Sequence, residues 1–142
     1  KFFIGFCEGC LEIVEIYNVH DSGVIVNPML AEGQVQGGVS MSLGYALSEQ
    51  LLFDKKTGTP LNNNFLDYKL QTIMDTPSIG VDFVEIPDPA GPVGQKSLGE
   101  NTTISAAPAV RNAVLNATGV GFNKLPMTPQ AVFEKLKQSG LI

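Results

Sequence analysis

Residues 87–100 read PDPAGPVGQKSLGE, a stretch dense in proline and glycine that closes on a carboxylate, Glu100. Such a loop is irregular and rigid, and loops of this kind often carry function. It runs into a predicted helix start, where backbone N–H groups lack partners and can hold an anion or the polar edge of a cofactor. A carboxylate at that point is either a general base, if partly buried, or a favourable contact with the helix dipole. Residue type alone does not choose between them. Lys96, in the same loop, reads as an ordinary solvated lysine. Gln34 lies beside Gly33 on a predicted helix. It is either a solvent-exposed residue or an amide that hydrogen-bonds a heterocycle.

Two further groups offer less. His20 is the only histidine, and Asp21 follows it. The pair could be a metal or acid–base couple, but a lone histidine at a strand end reads as structural. A Ser-His-Asp or Cys-His mechanism would rest on it entirely. Cys7 and Cys10 form a CxxC, yet two thiols and one histidine fall short of the four ligands of a zinc ribbon or iron–sulfur cluster. They read as reduced structural thiols beside a Glu8-Gly9 turn, with a redox pair or half of a shared metal site as alternatives. No P-loop is present, and no GxGxxG follows a strand.

Composition narrows the class. The 142 residues suit one domain. With 44% hydrophobic and 16% charged residues, the chain can fill a core and is not of disordered type. Nine basic against fourteen acidic residues give a net charge of −5 and no basic stripe, which argues against a nucleic-acid surface. No apolar run approaches the length of about 20 residues that spans a membrane. Phe2–Phe6 is too short for a signal peptide. Two cysteines make no secreted disulfide scaffold, which fits a cytoplasmic home. The chain begins at Lys1 rather than Met, as expected of a piece of a longer polypeptide.

The elements that must position these residues are legible in outline. Cys10–Val19 alternates apolar and polar residues and predicts a half-buried strand, with Phe2–Phe6 pairing to it as a hairpin. Asn27-Pro28 opens a helix. Its core stripe is Ala31, Val35, Val39, Leu43, Leu47 and Leu51, spaced every four residues. A second face carries Gly33, Gly37, Gly38 and Gly44. Each costs the helix about 1 kcal/mol relative to Ala, so something packs close to this backbone: another element or a large ligand. Val81–Ile86 predicts a second strand. A helix is expected over 101–116, with Pro108 starting its main part or kinking it, and Gly119 and Gly121 ending it. Thr128-Pro129 caps a last helix to about Lys137, with Gly140 just past its end.

Three segments taken together, DSGVIVNPMLAEGQVQGG (21–38), NNNFLDYK (62–69) and GPVGQKSLGE (91–100), resemble the molybdenum hydroxylase family in order and spacing. That family includes xanthine dehydrogenases and aldehyde oxidoreductases. More narrowly, the likeness is to the C-terminal part of the molybdopterin-binding subunit of bacterial xanthine dehydrogenases, over nearly the whole chain. The resemblance implies a single domain over residues 1–142: an α+β second molybdopterin-binding domain, with a small mixed or antiparallel sheet and about three helices on one side. It implies hydroxylation of an electron-poor carbon with oxygen from water, at a molybdenum–molybdopterin cofactor in its plain or cytosine-dinucleotide form. The expected substrate is a purine such as xanthine or hypoxanthine, with nicotinate, another N-heterocycle or an aldehyde as alternatives. Electrons would leave through [2Fe–2S] clusters to FAD on partner domains or subunits, and the rest of the molybdopterin subunit would complete the pocket. Glu100 matches the family's catalytic base. Ser97, Leu98 and Gly99 match the loop against the cofactor, Gln34 matches the glutamine that approaches the pterin, and Gly37 and Gly38 match small residues that allow close approach. No residue here matches a metal ligand. Asn101-Thr102 stand where many members have Pro-Pro. A reading from another class is a non-catalytic assembly module in which Glu100 is structural.

Overall fold

The computed structural model of the chain describes Ile4–Cys7 and residues 10–142, with side chains from Leu11 onward. Strand β1 (Ile4–Cys7) pairs antiparallel with β2 (Cys10–Ile13), in a register that sets Ile4 opposite Ile13. The expected hairpin is therefore present. Its Glu8-Gly9 turn, Phe2, and the side chains of Cys7 and Cys10 lie outside the described residues. The single strand expected over Cys10–Val19 is divided at Val14, which is exposed. Beyond it, β3 (Glu15–His20) leaves the hairpin and pairs parallel with β4 (Ser78–Phe83). The pairing is thus mixed, shared between two two-stranded sheets.

β4 lies earlier than the expected Val81–Ile86. The parallel ladder ends where β3 ends, with His20 opposite Phe83, and one more bond, from the Val84 amide to the His20 carbonyl, closes it. Ile16 of β3 is buried and alternates with exposed Glu15 and Tyr17, so one face of the ladder meets the core.

Helix α1 (Pro28–Leu47) starts where local chemistry puts it. Asn27 is extended, and its side chain accepts from the Leu30 amide at 3.1 Å, with Pro28 at the first helical position. Such a cap contributes about 1 kcal/mol. Val35, Val39 and Leu43 are fully buried along the expected stripe, but Leu51 is not part of it. The amides of Ser48 and Glu49 both turn back onto the Gly44 carbonyl, which ends the helix and leaves Leu51 exposed.

The helix expected after Glu100 is two helices: a single turn α2 (Asn101–Ile104) and α3 (Ala106–Thr118). The break is placed by Pro108, which has no N–H to give the Ile104 carbonyl. Gly119, at φ 73, returns its amide to Leu115 and ends α3. α4 (Pro129–Gln138) is capped by Thr128 as expected. Val110 and Val114 of α3 and Val132 and Leu136 of α4 close the core over α1. Between α1 and β4 the chain has no regular element and holds Phe65, Leu66, Ile73 and Met74 well out of the core.

Candidate functional site

The first and third motif segments meet in space. After β3, Asp21 receives three donors: the Gly23 amide at 3.1 Å, the Ile86 amide at 3.4 Å, and the Lys96 ammonium at 2.6 Å. Lys96 is therefore ion-paired, not the free surface lysine expected. Gly23 and Gln95 form an antiparallel bridge. On either side of it the Val24 amide donates to Gly94 and the Lys96 amide to Ser22. Gly23 has to be glycine: its φ is 66, and a Cβ would stand 2.2 Å from the Gly94 oxygen. The loop is also strained just before this bridge, where the β-branched Val93 sits at φ 56. Such a conformation costs about 1–3 kcal/mol and persists only where its surroundings over-determine it.

The far end of the loop is held by the side chains that follow it. Asn101 Nδ2 donates to the Ser97 carbonyl at 3.1 Å, Thr102 Oγ1 to Gly99 at 2.9 Å, and Thr103 Oγ1 to Glu100 at 2.7 Å. Three polar side chains thus secure the backbone where Pro-Pro would have stiffened it. Asn101 Oδ1 is buried with no donor among the described residues. The Glu100 carboxylate is exposed and makes no hydrogen bond among them.

The glycine face of α1 divides in two. Gly38 is buried against α2, and Gly44 lies against the Glu49 side chain, so both are explained by packing. At Gly33 and Gly37 an added Cβ would meet nothing within 4 Å among the described residues, and the same holds at Gly99. Gln34, next to Gly33, is exposed and lines a groove of about 330 Å3 with Leu98, Lys96, Ser22 and Leu30. Gln34 and Leu98 are therefore brought together. Gly37 lies on the open helix surface, Gly38 is reached only through Thr102, and Glu100 is not part of the groove lining. Thr102 was missed by sequence reasoning, and Asp21 was noticed only as the neighbour of His20. Their signal was the aspartate and glycine before the Asn-Pro cap, and the hydroxyl run after Glu100.

His20 does not couple to Asp21. Its Nε2 is buried without a partner among the described residues, and burial lowers its pKa from 6.5, so the ring is neutral at pH 7. Asp21 titrates below the ordinary 3.8, first because Lys96 donates to it and next because the Gly23 amide does. A depressed carboxylate contributes stability above its unfolded pKa, and that contribution is lost as pH falls through the folded pKa. Below about pH 3.8 the loop is therefore expected to loosen. In Asp21→Asn that acid-dependent step is absent, which hydrogen exchange across Gly94–Glu100 as a function of pH would read.

Residues 7–77 match the model of the molybdopterin cofactor-binding domain. The chain belongs to this family, that of the molybdenum hydroxylases. It is 50% identical over 139 residues, 98% of its length, to the xanthine dehydrogenase molybdenum-binding subunit of Escherichia coli O157:H7. It spans 18% of the length of that subunit. Quinoline 2-oxidoreductase from Pseudomonas putida 86 superposes with a TM-score of 0.84 at 32% identity, over 91% of this chain and 17% of that one. The aldehyde oxidoreductase of Desulfovibrio gigas does so with a TM-score of 0.81 at 31% identity, over 92% and 14%.

The described residues fit a large cofactor on one side. Gly33 and Gly37 lower helix propensity by about 1 kcal/mol each, yet nothing among the described residues occupies the space they leave. That space adjoins Gln34, whose amide carries both donors and an acceptor for a heterocycle edge. No group of three or more His, Cys, Asp or Glu able to hold a metal exists among the described residues.

Proposed function

We propose that this chain forms one wall of a molybdenum-cofactor pocket in a xanthine dehydrogenase-type hydroxylase and supplies its catalytic base, Glu100. The observation that carries the reading is the open glycine face of α1 beside Gln34, together with a carboxylate left unbonded among the described residues on a loop fixed at both ends. Gln34 would hydrogen-bond the pterin, Gly37 and Gly99 would let it approach the backbone, and Ser97 and Leu98 would line its edge. Gly38 would act one layer back, by setting α1 against α2. When bound, the cofactor supplies a Lewis-acidic metal that accepts two electrons from the substrate. Glu100 then takes a proton on a carboxylate oxygen from the water-derived nucleophile.

The substrate in this reading is a purine-type N-heterocycle, xanthine or hypoxanthine. Support comes from the 50% identity to a subunit named for xanthine dehydrogenase. The quinoline and aldehyde enzymes share the fold, so nicotinate or an aldehyde is the alternative. The remainder of the molybdopterin subunit would complete the pocket, and [2Fe–2S] and FAD domains or subunits would carry electrons away. The domain would comprise residues 1–142. No membrane or nucleic-acid partner enters this reading, and no helix among the described residues is long and apolar enough to cross a membrane. A panel of xanthine, hypoxanthine, nicotinate, quinoline and benzaldehyde on the native complex tests the substrate. The highest kcat/KM is expected for a purine, and a preference for the aldehyde would overturn that assignment.

A second reading has its own observation. Phe65, Leu66, Ile73 and Met74 are 78–89% exposed, and exposed apolar residues in this segment would suit a surface that meets protein. A module that only assembles would use this surface and would not need the carboxylate.

A further inference from the structure

We propose that Asp21 and Lys96 are positioning residues for the reaction, acting as the clamp that fixes where the Glu100 carboxylate stands. The proposal rests on the reading of Glu100 as base. The Glu100 side chain has no hydrogen bond among the described residues, so its location is set by its backbone alone. That backbone is held from two sides. Behind it, Asn101, Thr102 and Thr103 bond the carbonyls of Ser97, Gly99 and Glu100. Thr102 is itself fully buried under Gly38.

Ahead of Glu100 the loop is strung along residues 22–24. The Lys96 amide donates to Ser22 at 2.8 Å, the Val24 amide to Gly94 at 3.1 Å, and Ser22 Oγ to the Ser97 carbonyl at 3.4 Å. Two carboxylates tie this ladder to the rest of the fold: Glu85 accepts from the Ile25 amide at 3.0 Å, and Asp21 joins three segments at once. The Asp21 carboxylate gathers the exit of β3 through Gly23, the segment after β4 through Ile86, and the loop through Lys96. Lys96 is four residues from Glu100. It stands on the near side of the strained Val93-Gly94 turn, where the loop needs an outside hold to keep its path.

The pair is about one-third exposed on each side chain, 31% for Lys96 and 35% for Asp21. Ion pairs this exposed contribute little to global stability. A pair whose removal slows the reaction while leaving the melting temperature in place is acting on geometry. Misplacement of a catalytic group by about 1 Å can cost about 100-fold in rate.

The test uses the intact enzyme. Asp21→Asn and Lys96→Met are each expected to lower kcat by about 10- to 100-fold. KM and molybdenum per protein should stay within about twofold, and the melting temperature should not move. The double variant should be no slower than either single one, because both remove the same contact. Lys96→Arg, which keeps the ion pair, should recover most of kcat. Amide exchange across Gly94–Glu100 should quicken in Asp21→Asn and stay slow in α1. Unchanged kcat in Asp21→Asn, or a kcat that falls only in step with molybdenum content, would overturn the proposal. Glu100→Gln, assayed alongside, separates the two failures. An inactive Glu100→Gln with a normal Asp21→Asn sinks the positioning role alone, whereas an active Glu100→Gln sinks the base and the clamp together.

Discussion

Glutamine in place of Glu100 in the intact enzyme is expected to lower kcat by about 100- to 10,000-fold, the range that general-base catalysis contributes. Molybdenum content should be unchanged. The substitution is nearly isosteric and removes only the basic oxygen. The native carboxylate is exposed and unbonded among the described residues, so no internal contact is lost. The backbone that carries it is held by the Glu100 carbonyl's bond from Thr103, which the substitution leaves in place. An altered rate therefore reports chemistry and not unfolding. Steady-state kinetics and metal analysis on the same preparation check it. Near-normal turnover would favour the assembly module.

The second large effect separates two adjacent glycines. A Cβ on Gly38 would stand 1.8 Å from Thr102 Oγ1 and 3.2 Å from the Thr102 carbonyl carbon. Thr102 cannot turn aside, because it is fully buried and its hydroxyl is committed to Gly99. Gly38→Ala must push α1 and α2 apart, at a cost of about 1–3 kcal/mol, typical of overpacking. The displaced α2 carries the Glu100 loop with it, so rate falls as well as stability. Gly37→Ala has the opposite sign on stability. Its methyl meets nothing, and helix propensity favours alanine by about 1 kcal/mol. The same methyl enters the space assigned to the cofactor, so molybdenum content is expected to drop. Melting temperature and metal content of the two variants, measured together, should move in this crossed pattern.

These two glycines also show how far the sequence could be read. The glycine face of α1 was legible from its spacing, because helical periodicity is local. Which glycine packs and which stays open depends on α2, reached through a turn 64 residues later at Thr102. The caps at Asn27 and Thr128 were legible for the same local reason, since each acts within one turn. The strands were legible as apolar segments, but not their partners. Parallel pairing of β3 with β4 joins residues 63 apart, as Glu15 with Ser78, and no local signal records it. The switch of sheets at Val14 and the early end of β4 follow from that pairing.

The candidate site divides in the same way. Glu100, Ser97, Leu98 and Gly99 stood out because their motif is contiguous, and Gln34 because it sits beside the glycines. Lys96 looked like an ordinary surface residue because its partner, Asp21, is 75 positions away. Asp21 in turn was read with its neighbour His20, to which it is not paired. Side-chain pairs that join distant segments leave no trace in spacing, and here they hold the loop.

The most direct test of the central claim is molybdenum by elemental analysis on the native complex that contains this chain, purified from its source without overexpression. The cofactor-pocket account predicts roughly one molybdenum per copy of the chain, the stoichiometry of a single site that binds the folded protein. A fully assembled, undamaged complex with no molybdenum would contradict it and would leave the chain as an assembly module with a structural glutamate.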